Sequence, residues 1–107
     1  MKIISFNINS IRARIHQVEG IITKHNPDII GLQETKVHDE EYPHQLIEDL
    51  GYKSHIHGQK GHYGVALLYK EDPITKGKGF KGDKDDSQKR FIWGEFKKSK
   101  KSFFVLN

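Results

Sequence analysis

Ile3-Ile4-Ser5-Phe6-Asn7-Ile8-Asn9 and Ile29-Ile30-Gly31-Leu32-Gln33-Glu34 decide how this chain is read. Each is an apolar run ending in polar residues, the pattern of a strand leaving a core. In the first, alternation puts Ile4, Phe6 and Ile8 on one face and Ser5, Asn7 and Asn9 on the other. The second is nearly all apolar, as in a strand buried on both faces. Between them, Ile11, Ile15, Val18 and Ile22 recur at steps of four, three and four, so one helical face is apolar. Ser10 is the expected N-cap. Asn26-Pro27-Asp28 stops the helix, because proline disfavours helical backbone in the residue before it. Strand, helix, strand with a short return is a right-handed crossover between parallel strands. It predicts that Asn7 and Glu34 meet at the carboxyl edge of one sheet, where open α/β sheets bind ligands.

The remaining segments extend this unit. Residues 37–41 are expected as a polar loop. Tyr42, Leu46, Ile47 and Leu50 suggest a short helix closed by Gly51. Strands are expected over 52–57, 65–69, 90–96 and from Phe103 onward, with an edge strand over 74–78. Gly58 to Gly64 is a turn-rich loop. Residues 81–89, including Asp83, Asp85 and Asp86, form a hydrophilic loop, and 97–102 a lysine-rich turn.

The chain has 107 residues, a size for one small domain burying about 65% of its unfolded surface. Net charge is +4 and the isoelectric point about 9.3, a mild excess that suits a polyanion without requiring one. Hydrophobic residues make up 35% and mean hydropathy is −0.71, polar for a globular chain, but aromatics and β-branched residues are too frequent for disorder. There is no cysteine, which excludes disulfides and thiolate metal sites. The opening apolar run is too short for a signal peptide or a membrane span, so a soluble, cytoplasmic protein is expected.

Glu34 is the first chemical candidate. A carboxylate at the end of a buried strand needs a partner. That partner is either Lys36, Arg12 or Arg90 in a salt bridge, or a hard cation such as Mg²⁺, which one carboxylate and several waters can hold. Asn7 alongside would orient such a water. In Gly58 to Gly64 the glycines allow close approach to a phosphate and Lys60 adds charge, while His62 and Tyr63 offer flat rings to a nucleic acid strand. An ordinary hairpin loop has the same composition. Arg12, Arg14 and Arg90 are basic positions, Arg12 near the edge that carries Asn7. The run Lys97-Lys98-Ser99-Lys100-Lys101 reads as a solvated turn. The seven histidines show no metal spacing and are expected at the surface.

Four blocks are then decisive together: Ser5-Phe6-Asn7-Ile8-Asn9-Ser10-Ile11-Arg12-Ala13-Arg14, Pro27-Asp28-Ile29-Ile30-Gly31-Leu32-Gln33-Glu34-Thr35-Lys36, Gly58-Gln59-Lys60-Gly61-His62-Tyr63-Gly64-Val65-Ala66-Leu67-Leu68 and Gln88-Lys89-Arg90-Phe91. In order and spacing they closely resemble the exonuclease III (AP endonuclease) family of the endonuclease/exonuclease/phosphatase superfamily. Ser10 replaces a glycine common there. The third block argues against a branch acting on phospholipids or inositol phosphates.

The resemblance implies an α/β fold, the N-terminal portion of a four-layer sandwich of two packed mixed β-sheets flanked by helices. It implies Mg²⁺- or Mn²⁺-dependent hydrolysis of DNA phosphodiesters, 5′ to abasic sites and 3′→5′ along duplex DNA. Glu34 would be the metal-binding glutamate and Asn7 the active-site asparagine, catalytic and metal-binding. Arg12, Gly58, Gln59, Lys60, Gly61, His62, Tyr63 and Arg90 would face double-stranded DNA containing abasic sites or 3′ ends. No membrane partner is implied, and full-length members are expected to be monomeric. The tyrosine loop, Gly-Asp-x-Asn motif, further aspartate and Asp-His pair of the family do not occur. Residues 1–107 are therefore expected to be a partial domain, inactive alone, with an uncovered apolar sheet face. The alternative is a truncated remnant that at most binds DNA weakly.

Overall fold

The computed structural model describes residues 1–84 and 87–107. Asp85 and Asp86 of the expected hydrophilic loop lie outside the described residues. The order is β1 (Ile3–Asn7), α1 (Ile15–His25), β2 (Ile29–Gln33), a 3-10 turn (Asp39–Glu41), α2 (His44–Asp49), β3 (Lys53–His57), β4 (Val65–Tyr69), β5 (Thr75–Lys78), β6 (Ile92–Lys98) and β7 (Lys101–Leu106). β1 and β2 are parallel neighbours, with Asn7 opposite Gln33. β4 pairs antiparallel with β2 and β3, which completes a mixed sheet of order β1-β2-β4-β3. The second sheet, β5-β6-β7, is antiparallel throughout rather than mixed.

Period-two alternation divides the apolar residues between two cores. Ile30, Leu32, Ala66 and Leu68 face the helices and pack with Ile8, Ile11, Val18 and Ile47. Ile29, Val65, Leu67 and Tyr69 face the second sheet and meet Ile92 and Phe96. β2 is buried on both faces, as its continuous apolar run requires. The described residues thus form three layers: helices, mixed sheet, antiparallel sheet. On the far side of the antiparallel sheet Trp93 packs against Phe104, and Phe104 and Leu106 stay exposed. Among the described residues no helix is long and apolar enough to cross a membrane.

Two expectations are corrected. Ser10 does not cap α1; the helix begins after Arg14, whose side chain makes no capping bond. The cause is pairing that continues beyond the strands: Ile8 N–H donates to Gln33 O (3.0 Å), Ser10 N–H to Glu34 O (2.9 Å) and Ile11 N–H to Thr35 O (3.1 Å). These bonds hold Ser10 at φ 85° and sink Ile11 completely into the core. The helix still ends where proline dictates, with Asn26 left-handed and its N–H on Ile22 O.

The histidines are the second correction. Five are exposed, but His55 is buried and His57 half-buried, both on the face of β3 turned to the second sheet. His55 Nε2 lies 3.0 Å from Gly77 O, and His57 Nε2 is buried without a partner. Burial first, then Lys76 and Lys78 beside His55 and Lys78 and Lys89 beside His57, holds both below the ordinary histidine value. The unfolded chain takes up protons near the ordinary value of about 6.5, whereas the folded chain resists them. Stability is therefore full above that pH and declines as pH falls below it. Melting at pH 7.5 and 5.5 should show a lower midpoint at 5.5, and the His55→Gln/His57→Gln double variant should flatten the difference. An unchanged difference in the double variant would assign the effect elsewhere.

Candidate functional site

At the carboxyl ends of β1 and β2 the backbone is unusual. Asn9 (φ 46°), Ser10 (φ 85°), Glu34 (φ 55°) and Lys36 (φ 58°) are all left-handed. Such residues cost on the order of 1–2 kcal/mol each and persist only where surrounding structure dictates them. Here the dictate is backbone pairing on two sides. Ser10 and Ile11 hold the Glu34 and Thr35 carbonyls, while Thr35 N–H donates to Gly64 O (3.0 Å) and Lys36 N–H to Tyr63 O (2.8 Å). The loop after β3 is thereby fastened to the segment after β2, with Glu34 fixed between.

The two residues expected to meet do meet. Asn7 Nδ2 donates to Glu34 Oε2 at 2.5 Å. Asn9 N–H donates to Asn7 Oδ1 at 3.0 Å, and a backbone N–H can only donate, so the amide of Asn7 has one orientation. Asn7 therefore turns its N–H to the carboxylate and orients it, while Oδ1 keeps a second lone pair beyond the Asn9 bond. Lys36 Nζ lies 3.6 Å from Glu34 Oε1 and donates to Asn9 Oδ1 at 2.6 Å. The Asn7 hydrogen bond, with Lys36 and Arg90 assisting against partial desolvation, holds Glu34 below the ordinary carboxylate value. It is ionised at neutral pH.

Glu34 opens into a cleft of about 470 Å³ between the strand ends and the two loops. Asn7 and Gln33 form one side of it, His62, Tyr63 and Gly64 another, and Lys89 and Arg90 the third. Arg90 lies over the Tyr63 ring, 5.7 Å from its centre, a cation–π contact, and its Nη1 donates to Gln88 Oε1 (3.1 Å). Arg12 is elsewhere. It pairs with Glu41 at 2.6 Å and shares a separate, shallower hollow with Lys36 and Lys60.

Within the Gly58–Gly64 loop the parts differ. Gly58 N–H donates to Asp39 Oδ1 (2.7 Å), and a Cβ there would overlap Val37 O. Gln59 Oε1 accepts from Lys89 N–H (2.8 Å), so both residues serve the loop's shape. Gly61, at φ 97° with open space around it, is the tip. Gln33, Gly64 and Lys89 were not singled out by the sequence as site residues; each lay inside a block that carries the resemblance.

The donor set can be tested against a divalent cation. Among the described residues no cluster of three or more His, Asp or Glu stands ready to wrap a metal. One ionised carboxylate in an open cleft fits a hard, largely hydrated ion such as Mg²⁺, which keeps its waters and takes one or two carboxylates.

The profile of the Endonuclease/Exonuclease/phosphatase family matches residues 4–92. Over all 107 residues the chain is 53% identical to exodeoxyribonuclease III of Haemophilus influenzae, and it spans 40% of that protein's length. A 3′ phosphatase, NExo, from Neisseria bound to product DNA hairpin aligns at TM-score 0.85 with 31% identity, over 97% of this chain and 40% of its own. An AP endonuclease from Archaeoglobus fulgidus aligns at TM-score 0.81 with 34% identity, over 90% of this chain and 37% of its own. These matches bear out the exonuclease III resemblance and the sandwich architecture, and the chain belongs to the Endonuclease/Exonuclease/phosphatase family.

Proposed function

We propose that this chain builds the cation-holding and DNA-facing wall of a nuclease of the exonuclease III type. The observation that carries the reading is the ionised Glu34, oriented by Asn7 and facing a cleft whose far side is cationic. Glu34 would hold Mg²⁺ or Mn²⁺. When bound, the ion supplies Lewis-acid stabilisation of charge developing on phosphoryl oxygens. Asn7 keeps the carboxylate in place and charged. Arg90, braced on Tyr63, takes a phosphate oxygen, and the exposed His62 ring meets a sugar or base. The substrate would be duplex DNA with an abasic site or a 3′ end. In the reaction water attacks phosphorus and the 3′ oxygen leaves. We place this protein in the cytoplasm, as a monomer when full-length.

The cleft offers one carboxylate among the described residues, whereas phosphodiester hydrolysis needs charge stabilisation preorganised on both the attacking and leaving oxygens. The 107-residue chain should therefore bind DNA without cutting it. Binding to a duplex bearing an abasic-site analogue should weaken roughly 40-fold between 50 and 200 mM salt if about three phosphates are contacted. A flat salt response would overturn the DNA-facing assignment. Turnover by the purified chain in Mg²⁺ would overturn the division of labour.

A further inference from the structure

Gly31 interrupts β2 with no turn to justify it. A Cβ there would press on the side-chain amide of Asn107, 3.1 Å from Cγ. Asn107 follows β7 and is fastened to β6 by reciprocal backbone bonds with Ile92 (2.8 and 2.9 Å). From there its side chain crosses to the mixed sheet. Nδ2 donates to Leu32 O and to Ala66 O, both at 3.0 Å. Carbonyls only accept, so the amide of Asn107 has one orientation, and Oδ1 turns toward Gln33.

Gln33 is fixed in the same way. Its two Nε2 protons are shared among Asn107 Oδ1 (2.5 Å), Ser5 Oγ (3.1 Å) and Gly31 O (3.3 Å). Among the described residues Oε1 has no hydrogen-bond partner. Among the described residues the one buried side-chain polar atom without a partner is His57 Nε2, so Gln33 Oε1 is open to solvent. Gln33 lines the cleft beside Glu34. Two backbone carbonyls thus set Asn107, and Asn107 sets Gln33.

We propose that Asn107 is a positioning residue of the cleft: it turns Gln33 so that Oε1 stands beside Glu34 as an acceptor for a water of a hydrated divalent cation. The inference rests on the cation reading of Glu34. Waters on a divalent cation are strong donors, and a neutral acceptor beside the carboxylate completes their hydrogen bonding. The reversed amide would present two N–H donors to those waters, an arrangement with no acceptor and an unfavourable dipole.

The test is a Mg²⁺ titration of the ¹⁵N-labelled chain, followed on the Gln33 side-chain amide. In the wild type the two Nε2 protons should be well separated and should shift on Mg²⁺ binding. Asn107→Leu can neither accept from Gln33 Nε2 nor donate to the Leu32 and Ala66 carbonyls; the Gln33 Nε2 protons should move to free-amide positions and Mg²⁺ affinity should fall about three- to tenfold, the scale of one hydrogen bond. Gln33→Met, which leaves the Asn107 anchor in place, should weaken Mg²⁺ equally, and the double variant should be no weaker than Gln33→Met alone. A purely structural Asn107 would give additive losses and overturn the inference, as would unchanged affinity in Gln33→Met. If Asn107→Leu fails to fold, Gln33→Met carries the decision. Glu34→Gln separates the two layers. A wild-type response that needs Glu34 but ignores Asn107 and Gln33 removes only this inference, whereas no wild-type response to Mg²⁺ removes the cation reading and this inference together.

Discussion

Replacing Gly64 by alanine is expected to cost about 3 kcal/mol, lowering the melting midpoint by roughly 12–20 °C. Two effects add. Gly64 sits at φ 101°, a conformation side chains rarely adopt. A Cβ there would also overlap Thr35 Oγ1 and press on the Gln59 and Lys36 backbone nitrogens at 3.3 Å. Thr35 is 1% exposed and has nowhere to go. Because Thr35 N–H donates to Gly64 O, any shift of Thr35 also moves Glu34. Gly61→Ala is the control. It shares a positive φ of 97° but has nothing within 4 Å, so strain alone acts, on the order of 1 kcal/mol. The difference between the two melting curves isolates the overlap. Equal losses would show that the loop after β3 is not pinned against Thr35.

Glu34→Gln is expected to abolish the Mg²⁺ response, weakening binding by at least about a hundredfold, because it removes the one carboxylate that the described residues bring to the cleft, at nearly constant shape. Stability should barely change, since the Glu34 side chain is 42% exposed. Affinity for DNA should hold or rise, because a negative charge leaves a phosphate-facing wall. These opposite responses distinguish a cation ligand from a DNA contact; equal loss of both would assign Glu34 to the fold. The pH dependence has a definite sign. Asn7 donates to the charged carboxylate, so its native value lies below the ordinary one. Protons then compete with Mg²⁺ only below the ordinary value of 4.5, and affinity should stay level from pH 8 to about 5. A decline that begins near pH 6.5 would instead implicate a histidine.

Much of the cleft was legible because it depends on local pattern. The parallel crossover follows from two apolar runs and one helical stripe, and it brings Asn7 to Glu34 without knowledge of anything else. Pro27 sets the end of α1. What could not be read depends on partners far along the chain. Ser10 has the chemistry of an N-cap, but the ladder from Ile8 to Ile11 reaches residues more than twenty positions away and overrides it. Arg12 looked available to Glu34 and is instead paired with Glu41, which a turn before α2 places within reach. His55 and His57 look like surface residues in composition. Only the packing of β3 against the second sheet turns them inward.

The sequence by itself determined the strands, the helices and the pairing of an amide with a carboxylate at one sheet edge, since hydrophobic period and chain connectivity act over short distances. Tertiary structure alone decided the orientation of each polar group. Asn7 donates because Asn9 N–H occupies its oxygen, and Gln33 presents an acceptor because Asn107, 74 residues away, takes its N–H. An amide carries a donor and an acceptor of nearly the same shape. Which one faces the cleft is settled by obligate partners that only the folded chain brings together.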